Sequence, residues 1–314
     1  MSDWQPLCPA DVAAQRADLL ARARSYFTER GVLAVDTPAL GLAGVTDPHI
    51  DCYRTADGDW LQTSPEYYMK RLLAAGYPDI YSICRVFRDG ERGTLHLPEF
   101  TMIEWYRHGM HLDAIIDDTL GLVGHVLNLR LTPENVPVYE YYALFNDIVG
   151  IDVKTCTIDD VAEAASVDDS LRAALGSDID AWLDLILTTK ISPRLPAEKF
   201  TVVQHYPTSQ AALARVCPAN PTVADRFEIF FGNVELANGY VELTDATEQA
   251  RRMAIDNSNR RRLGKPEQPH DERLLAAIET GLPHCAGVAL GFERLHMIAG
   301  NASDIRDVVT FAET

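Results

Sequence analysis

The chain has 314 residues, 47% of them hydrophobic, which is enough for a sizeable buried core. Its formal net charge of −18 argues against broad electrostatic binding to nucleic acid or to an anionic membrane surface. The six cysteines are scattered without a CxxC pair, the amino-terminal residues contain no apolar signal core, and no apolar run has membrane-spanning length. These features predict a cytoplasmic protein with reduced thiols and no membrane association.

In chain order, an amphipathic helix is predicted first, at 9–30, because apolar residues recur at helical spacing and Gly31 lies where the helix would stop. Further helices are predicted at 66–75, 110–130, 158–166, 178–190 and 245–262, and from residue 292. Strands are predicted at 60–63, 81–88, 99–107, 201–206, 226–231, 234–243 and 287–290. Most neighbouring strands lack the connecting helix that a parallel sheet needs. The predicted fold class is therefore α+β, with an antiparallel sheet flanked by helices.

The strand at 99–107 places a carboxylate and a phenol on an otherwise apolar face, since alternate side chains of a strand share a face. That face contains Phe100, Met102, Glu104 and Tyr106. A buried glutamate beside a tyrosine is costly unless a cation or a donor satisfies it. Two interpretations stay open from these residues alone, a receptor for a cationic ligand or a structural ion pair with a nearby arginine.

The segment 226–243 is predicted to form a hairpin around the two-residue turn Gly232-Asn233. This turn pairs residue 230 with 235 and residue 228 with 237, which brings Glu228 and Glu235 to one face. Two close carboxylates repel each other, so the pair favours a cation such as Mg²⁺ carrying phosphate oxygens. The alternative is an edge hairpin with two solvated glutamates.

Farther along the same strand, Asn238, Tyr240 and Glu242 alternate onto one face. They join the face of Glu235 only if the ladder slips by one residue, and Gly239 is the predicted position of that bulge.

Two other segments contain groups suited to a nucleotide. Gly287 and Gly291 at the two ends of an apolar strand permit close approach of the backbone to a ligand, and the planar guanidinium of Arg294 can stack on a purine. Arg88, Arg92 and His96 lie at the start of a charged loop or inside it, and they can hold phosphates. The alternatives are a solvated arginine at a helix start and a mobile surface loop.

Together these segments resemble the class II aminoacyl-tRNA synthetases of the lysyl type, over about residues 15–310. Motif 1 is loosely matched by GVLAVDTPAL, motif 2 resembles RVFRDGERGTLHLPEFTMIEWY, and motif 3 resembles GVALGFERL. The stretches TSPEYYMKRL and RFEIFFGNVELANGYVELTDA resemble the substrate-pocket segments of that family. The resemblance implies the class II catalytic-domain fold and a homodimer.

The resemblance also implies the roles of single residues. Arg88 and Arg294 are the implied catalytic residues, and Glu228 and Glu235 are the implied Mg²⁺ ligands. The implied ATP-binding residues are Arg88, Asp89, Gly90, Glu91, His96, Leu97, Phe100, Glu235, Leu236, Gly291 and Arg294. The implied substrate-binding residues are Ser64, Pro65, Glu66, Glu104, Tyr106, Asn238, Tyr240, Glu242 and Ala289. Among these, the side-chain ammonium of the substrate is implied to contact Glu104, Tyr106 and Glu242.

The implied reaction is attack of an amino-acid carboxylate on the α-phosphate of ATP, which gives an aminoacyl-adenylate and pyrophosphate. The first predicted helix begins near residue 10, so we expect a single catalytic domain over 1–314 without the amino-terminal anticodon-binding OB domain of a lysyl-tRNA synthetase. Free-standing chains of this kind resemble the elongation factor P lysine-ligase family. That resemblance implies a lysine or (R)-β-lysine substrate and elongation factor P as the partner. The acidic charge weighs against tRNA as the acceptor.

Some positions depart from the family pattern and leave alternatives open. Gly90 displaces the glutamate of the common Arg-x-Glu pattern to Glu91, Leu97 replaces a common asparagine, and Ala289 replaces a usual glycine. The alternative functions are a truncated synthetase that charges tRNA or another acceptor, and a non-catalytic regulatory paralogue. Finally, a basic stretch is interpreted as a solvated helix face or, alternatively, as a docking patch for an acidic protein; it contains Arg251, Arg252, Arg260, Arg261 and Arg262.

Overall fold

The computed structural model describes residues 4–312. These residues divide into two compact units, 4–131 with 241–312, and Thr132–Tyr240. Whether the chain acts as one undivided catalytic domain stays a prediction. The helices are α1 (Ala10–Glu29), α2 (Glu66–Ala74), α3 (Leu112–Leu127), α4 (Tyr141–Val149), α5 (Ile158–Ala165), α6 (Asp169–Leu175), α7 (Ile179–Ile186), α8 (Ala246–Arg262), α9 (Glu272–Gly281) and α10 (Phe292–Gly300). The strands are β1 (Leu33–Ala34), β2 (Leu40–Gly41), β3 (Trp60–Leu61), β4 (Ile80–Phe87), β5 (Glu99–His108), β6 (Val138–Glu140), β7 (Phe200–Gln204), β8 (Arg226–Phe231), β9 (Val234–Val241) and β10 (Cys285–Gly291).

The first predicted helix is confirmed as α1, and its apolar face is buried through residues that recur at helical spacing. Gly31 follows it with φ +67°, a conformation that favours glycine. Tyr26 of α1 donates a hydrogen bond of 2.9 Å to the Asp118 carboxylate of α3, which also accepts one of 3.0 Å from the Trp105 indole of β5. These contacts tie α1 and α3 to the middle of the sheet.

The sheet of the first unit has the strand order β1-β4-β5-β10. The β4–β5 and β5–β10 pairs are antiparallel, as predicted, and β1 pairs with β4 in parallel. The parallel pair is possible because the long connection between β1 and β4 contains α2. Strand β5 therefore lies between two partners, with Glu104 opposite Ser82 on β4 and Ala289 on β10.

In the second unit the strand order is β9-β8-β7-β6, with β6 and β7 parallel and the other pairs antiparallel. The stretch 132–200, which carried no motif, forms helices α4 to α7. They pack in a core that includes Tyr141, Phe145 and Trp182. This unit confirms the predicted α+β class for its own part of the chain.

The predicted hairpin register is right near the turn and wrong beyond it. Phe230 pairs with Glu235 as expected, but Glu228 pairs with Asn238 rather than with residue 237. The cause is a bulge between Ile229 and Phe230, which leaves Leu236 as the extra residue of β9. The predicted slip thus occurs at Leu236, before Gly239, and it places Glu228, Glu235 and Asn238 on one face.

The basic stretch of α8 is not one solvated face. Arg260 has a side chain only 1% exposed, and it donates to the backbone oxygens of Asp47, Ile50 and Pro266 and to the Asp51 carboxylate. Arg260 is therefore a buried structural residue and cannot belong to a docking patch.

In the described part of the chain, no helix combines the length and the apolar composition needed to cross a bilayer.

Candidate active site

Glu104 is the centre of a buried polar cluster in the first unit. Only 2% of this residue is exposed, and its two carboxylate oxygens each accept a hydrogen bond of 2.8 Å, from Ser64 Oγ and from Tyr106 Oη. The predicted pairing of Glu104 and Tyr106 on one strand face is confirmed. The contacts of Glu104 are made by hydroxyl groups, so the alternative of a structural ion pair with an arginine is wrong.

Ser64 and Pro65 position this cluster at the start of α2. Pro65 occupies the position before the first helical residue, and the Glu66 N–H donates 3.0 Å to Ser64 Oγ. Since Ser64 in turn donates to Glu104, one hydroxyl links the helix start to the strand carboxylate. Glu66, at the first position of α2, therefore faces the same cluster.

Lys70 is the residue that the sequence reasoning missed. Its Nζ lies 2.6 Å from Glu66 Oε1, one helical turn away, and 2.6 Å from Glu242 Oε2. The Lys70 side chain is 1% exposed and the Glu242 side chain is fully buried. The available signal was the i,i+4 spacing from Glu66, but such a pair is usually exposed on a helix surface. The cluster thus contains three carboxylates and one ammonium of the chain itself.

The pKa values of these groups follow from burial and from mutual charge. Burial raises the pKa of the Glu104 carboxyl to about 8, and the Glu66 charge adds to this effect against the Ser64 and Tyr106 donors. Burial also raises the pKa of Glu242 to about 8, with Lys70 acting in the opposite direction. Burial alone would lower the pKa of Lys70. The negative charges of Glu242 and Glu66 outweigh the effect of burial, so the pKa of Lys70 is raised. Near neutral pH Lys70 is therefore charged, while the Glu104 and Glu242 carboxyls are mostly protonated.

Strand β10 forms the wall beside this cluster. Gly287 lies opposite Tyr106, and Ala289 lies opposite Glu104, so each shares a face with its partner. A β-carbon at position 287 would stand 2.4 Å from Tyr106 Cε1 and 2.5 Å from Glu242 Oε1. Glu242 Oε1 is itself buried, with no hydrogen-bond partner among the described residues. A buried oxygen without a donor is costly, so it marks a place suited to a ligand ammonium.

Arg88, in the segment that resembles motif 2, also lies in the first unit. The Arg88 N–H donates 2.9 Å to the Pro98 oxygen, which closes the loop between β4 and β5. Its guanidinium stands over the Phe100 ring at 5.2 Å, and Nη1 lies 3.5 Å from Glu91 Oε1. Buried Arg88 Nε has no partner within the described residues. The structure thus brings together Arg88, Glu91 and Phe100. The Nε–H of Arg88 remains available to donate to an anion.

The tip of the same loop meets α10. Arg294 donates from Nε to the Leu95 oxygen at 3.2 Å, and its Nη2 lies 2.8 Å from His96 Nε2. Leu97 packs against the apolar cluster that contains Met297, Ile305 and Val308. The predicted ATP residues His96 and Arg294 therefore contact each other.

The remaining residues predicted for ATP in this unit are Asp89 and Gly90, in the loop after β4, and Gly291, at the end of β10. Asp89 donates its N–H 2.8 Å to the Asp51 oxygen, and Gly90 has φ +79°. Gly291 precedes the first helical residue of α10.

In the second unit, Glu228 is buried and forms an ion pair of 2.6 Å with Arg226 Nη2. The alternative of two solvated glutamates is therefore wrong for Glu228. Burial raises the pKa of Glu228 to about 7, to which Glu235 adds, and Arg226 opposes the shift. Sequence reasoning missed Arg226, whose place two residues before Glu228 on one strand was the available signal.

The other predicted residues of this unit lie on the same strand pair. Asn238 Nδ2 lies 3.5 Å from Glu228 Oε1, while its buried Oδ1 has no partner among the residues described. Tyr240 packs beside a small alanine cluster, and Leu236 is buried at the bulge. The carboxylates of Glu228 and Glu235 and the amide oxygen of Asn238 lie on one face. They are hard oxygen donors, the type that Mg²⁺ prefers. This donor set fits the predicted metal.

Comparison with known proteins extends this description to the whole chain. The family model described as tRNA synthetases class II (D, K and N) matches residues 10–314. The chain is also similar to the protein called elongation factor P--(R)-beta-lysine ligase from three organisms. It is 41% identical to that of Mannheimia succiniciproducens over 98% of this chain and 97% of the relative. It is 40% identical to that of Haemophilus influenzae over 99% and 98%, and 39% identical to that of Pasteurella multocida over 98% and 97%.

These matches confirm the predicted fold type and the predicted enzyme class, an ATP-dependent ligase. The family model covers nearly the whole chain, and the relatives have similar lengths and about two-fifths identity to it. Both findings assign the chain to the same family. The chain belongs to the class II tRNA synthetase family that includes the D, K and N enzymes.

Proposed function

We propose that this chain uses ATP to activate a lysine-type amino acid, (R)-β-lysine, and transfers it to a lysine side chain of elongation factor P. The observation that carries the first half is Glu104, a buried carboxylate held by two hydroxyl donors beside Glu242 and Lys70. A buried acceptor of this kind favours a cationic side chain and penalises a neutral one, which would leave the carboxylate unpaired. The acceptor rests on the names of relatives such as the Haemophilus influenzae ligase.

In the activation step, an oxygen of the amino-acid carboxylate attacks the α-phosphorus of ATP. The bond from this phosphorus to the bridging oxygen breaks, and pyrophosphate leaves with that electron pair. Arg88 suits the substrate carboxylate and the α-phosphate, since its guanidinium has a buried Nε left without a partner in the described structure. No side chain acts as a covalent nucleophile, so the chain contributes orientation and charge stabilisation.

In the transfer step, the neutral ε-amine of the acceptor lysine attacks the acyl carbon of the adenylate. The bond between that carbon and the phosphate oxygen breaks, AMP leaves, and the attacking nitrogen loses one proton. The product is an amide between the transferred amino acid and the acceptor lysine. Because this acceptor is a protein side chain, the reaction does not require recognition of a tRNA anticodon.

Glu228, Glu235 and the oxygen of Asn238 are the proposed Mg²⁺ ligands of the second unit. When bound, Mg²⁺ would neutralise negative charge on the phosphates of ATP. Arg226 opposes the burial that raises the pKa of Glu228, because it forms an ion pair of 2.6 Å with that carboxylate. The homodimer implied by motif 1 belongs to the same proposal, and sedimentation equilibrium should give twice the mass of one chain.

The experiment is transfer of radiolabelled (R)-β-lysine, in the presence of ATP, to elongation factor P or to tRNA. We expect label on the wild-type factor, and none on tRNA or on a factor whose acceptor lysine is replaced by arginine. Label on tRNA alone would overturn the proposed acceptor. Label on neither, despite adenylate formation, would overturn the transfer step.

A further inference from the structure

The connection between β7 and β8 brings together three side chains with metal-binding atoms, none of which belongs to the residues proposed for ATP or the amino acid. They are His205, Cys217 and Asp225, and their ligand atoms all lie within 4.8 Å of one another. His205 directly follows β7, Asp225 directly precedes β8, and Cys217 comes from between them. Imidazole, thiolate and carboxylate are the ligand types that zinc takes in proteins. The cluster of these three residues therefore has the donor atoms of a zinc site.

The backbone of the connection holds these three residues side by side. The Asp225 N–H donates to the Arg215 oxygen at 3.0 Å, and the Cys217 N–H donates to the Val223 oxygen at 2.9 Å. The His205 N–H donates at 2.9 Å to the oxygen of the first residue of β8. Because these hydrogen bonds already order the segments, binding an ion costs little further conformational freedom.

Glu140 supports His205 from the other side of the imidazole ring. Its Oε2 lies 2.7 Å from His205 Nδ1, and its Oε1 accepts a hydrogen bond of 2.7 Å from Gln204. Histidines that bind metals usually donate their second ring N–H to a carboxylate, which orients the ring and makes the ligating nitrogen more basic. With Nδ1 turned to Glu140, Nε2 is the nitrogen directed at Asp225.

Asp225 uses its two oxygens differently. The residue is 3% exposed, and its Oδ2 lies 2.6 Å from Arg215 Nε. Its Oδ1 lies 4.0 Å from His205 Nε2, which is too far for a hydrogen bond between these two atoms. Ligand atoms of one tetrahedral zinc are about 3.3–3.8 Å apart, so the side chains need to close by only about 1 Å. A metal ion would give both Oδ1 and Nε2 a ligand bond.

We propose that His205 Nε2, Cys217 Sγ and Asp225 Oδ1 bind a zinc ion that fastens the connection between β7 and β8. Cys217 releases its thiol proton when it binds the ion. A water molecule takes the fourth position, since the His205 side chain is 25% exposed. Strand β8 begins directly after Asp225 and carries Glu228, so the ion holds the start of that strand.

The test is zinc binding to the full chain after chelator treatment, measured by competition with a colorimetric chelator in excess Mg²⁺. The Mg²⁺ occupies hard oxygen sites such as Glu228, while thiolate and imidazole select zinc. We expect about one zinc per chain in wild type, and binding more than about a hundredfold weaker in Cys217→Ser, which loses one of three ligands. Cys156→Ser changes another partly buried cysteine of the same unit and should match wild type.

Cobalt gives a readout that depends on the ligand atoms themselves. Co²⁺ bound to wild type should show a sulfur-to-cobalt charge-transfer band in the near ultraviolet, and Cys217→Ser should lack it. His205→Asn should also lose tight zinc binding, and asparagine tolerates the φ of +58° at this position. Glu140→Gln should bind zinc about tenfold more weakly, because it changes a partner outside the coordination shell.

Zinc should also stabilise the fold. At about 100 times its dissociation constant it should raise the melting temperature of wild type by roughly 4 °C, without raising that of Cys217→Ser. Equal zinc affinity of wild type and Cys217→Ser, cobalt binding without the sulfur band, or no zinc binding would each overturn the proposal. If Cys217→Ser does not fold, alkylation decides: zinc should protect Cys217 of wild type from iodoacetamide in peptide mass spectrometry, and unchanged alkylation would contradict the site.

Discussion

Gly287 lies against Glu242 so closely that a single methyl group at position 287 would stand 2.5 Å from Glu242 Oε1. The same methyl would stand 2.4 Å from the ring of Tyr106. Both neighbours belong to the buried carboxylate cluster, so the glycine sets the space available at its wall.

Gly287→Ala should therefore damage the pocket. Overpacking costs about 1–3 kcal/mol, and here it displaces Tyr106 or Glu242, so we expect kcat/KM for the amino acid to fall roughly a hundredfold. Steady-state pyrophosphate exchange measures this. Gly300→Ala is the control, because its new methyl would meet Gln15 at an ordinary 3.4 Å. Equal activity of the two variants would contradict the packing described for β10.

Glu104→Gln tests the charge of the cluster at nearly constant shape. The amide keeps the size of the side chain but loses the attraction for an ammonium. We expect KM for the amino acid to rise roughly a hundredfold, about 2.7 kcal/mol, with little change in KM for ATP. Glu99→Gln, on the same strand and about half exposed beside Arg85, should behave as wild type. A parallel rise in both KM values would mean that Glu104 supports the fold rather than the pocket.

The raised pKa values give opposite pH effects on binding and on stability. Glu104 and Glu242 have pKa values of about 8, above their ordinary 4.5, so an ammonium ligand should bind more tightly as pH rises toward 8. In the unliganded protein the same shifts favour the protonated folded state, so their contribution to stability is lost as pH rises between 4.5 and 8.

Calorimetric titration with lysine, together with thermal unfolding with and without lysine, measures both effects. The stabilisation by lysine should increase over this pH range. A constant stabilisation would indicate that the carboxyls are already ionised at the lower end.

The N–O distance is 2.6 Å in both the buried Arg226–Glu228 pair and the exposed Arg172–Asp159 pair. We nevertheless expect the two pairs to contribute differently to the free energy of unfolding. Arg226→Leu leaves a buried carboxylate unpaired and should destabilise the protein by about 3–5 kcal/mol. Arg172→Leu removes an exposed pair and should cost about 0–1 kcal/mol. Urea unfolding of the two variants gives the comparison, and similar losses would argue that Glu228 is solvated.

Arg260 allows a test of whether the basic stretch of α8 forms a solvated docking surface. Arg260→Glu places a negative charge beside Asp51 and removes four hydrogen-bonded contacts, so we expect a loss of about 3–5 kcal/mol. Arg261→Glu, at a side chain 62% exposed, should change stability by less than about 0.5 kcal/mol. Thermal denaturation distinguishes them, and an Arg260→Glu protein as stable as wild type would contradict the burial described for Arg260.

Local periodicity predicted much of the site because it depends on the backbone alone. The alternation of a strand placed Glu104 and Tyr106 on one face, and the turn at Gly232-Asn233 fixed the pairing of Phe230 with Glu235. The slip itself was also expected, but its position at Leu236 was not. A bulge is selected by packing of the whole strand pair, which a turn sequence does not specify.

Burial was the property that sequence patterns could not supply. Lys70 and Arg260 both occupy helix positions typical of solvated charges, and both are buried by segments distant in the chain. Lys70 meets Glu242 across more than half the sequence, and Arg260 meets Asp51 across a similar span. Such contacts depend on tertiary structure, so no local spacing signals them.

The most direct test of a pocket for a cationic amino acid is amino-acid-dependent ATP–pyrophosphate exchange with matched substrate pairs. The pairs are (R)-β-lysine against (R)-3-aminohexanoate, and α-lysine against norleucine, and each second member lacks only the terminal ammonium. We expect exchange with (R)-β-lysine, and a kcat/KM roughly 10⁴-fold lower for the neutral analogue, because the buried carboxylates would be left unpaired. Equal exchange within a pair, or no exchange with either lysine, would contradict the site described around Glu104 and Glu242.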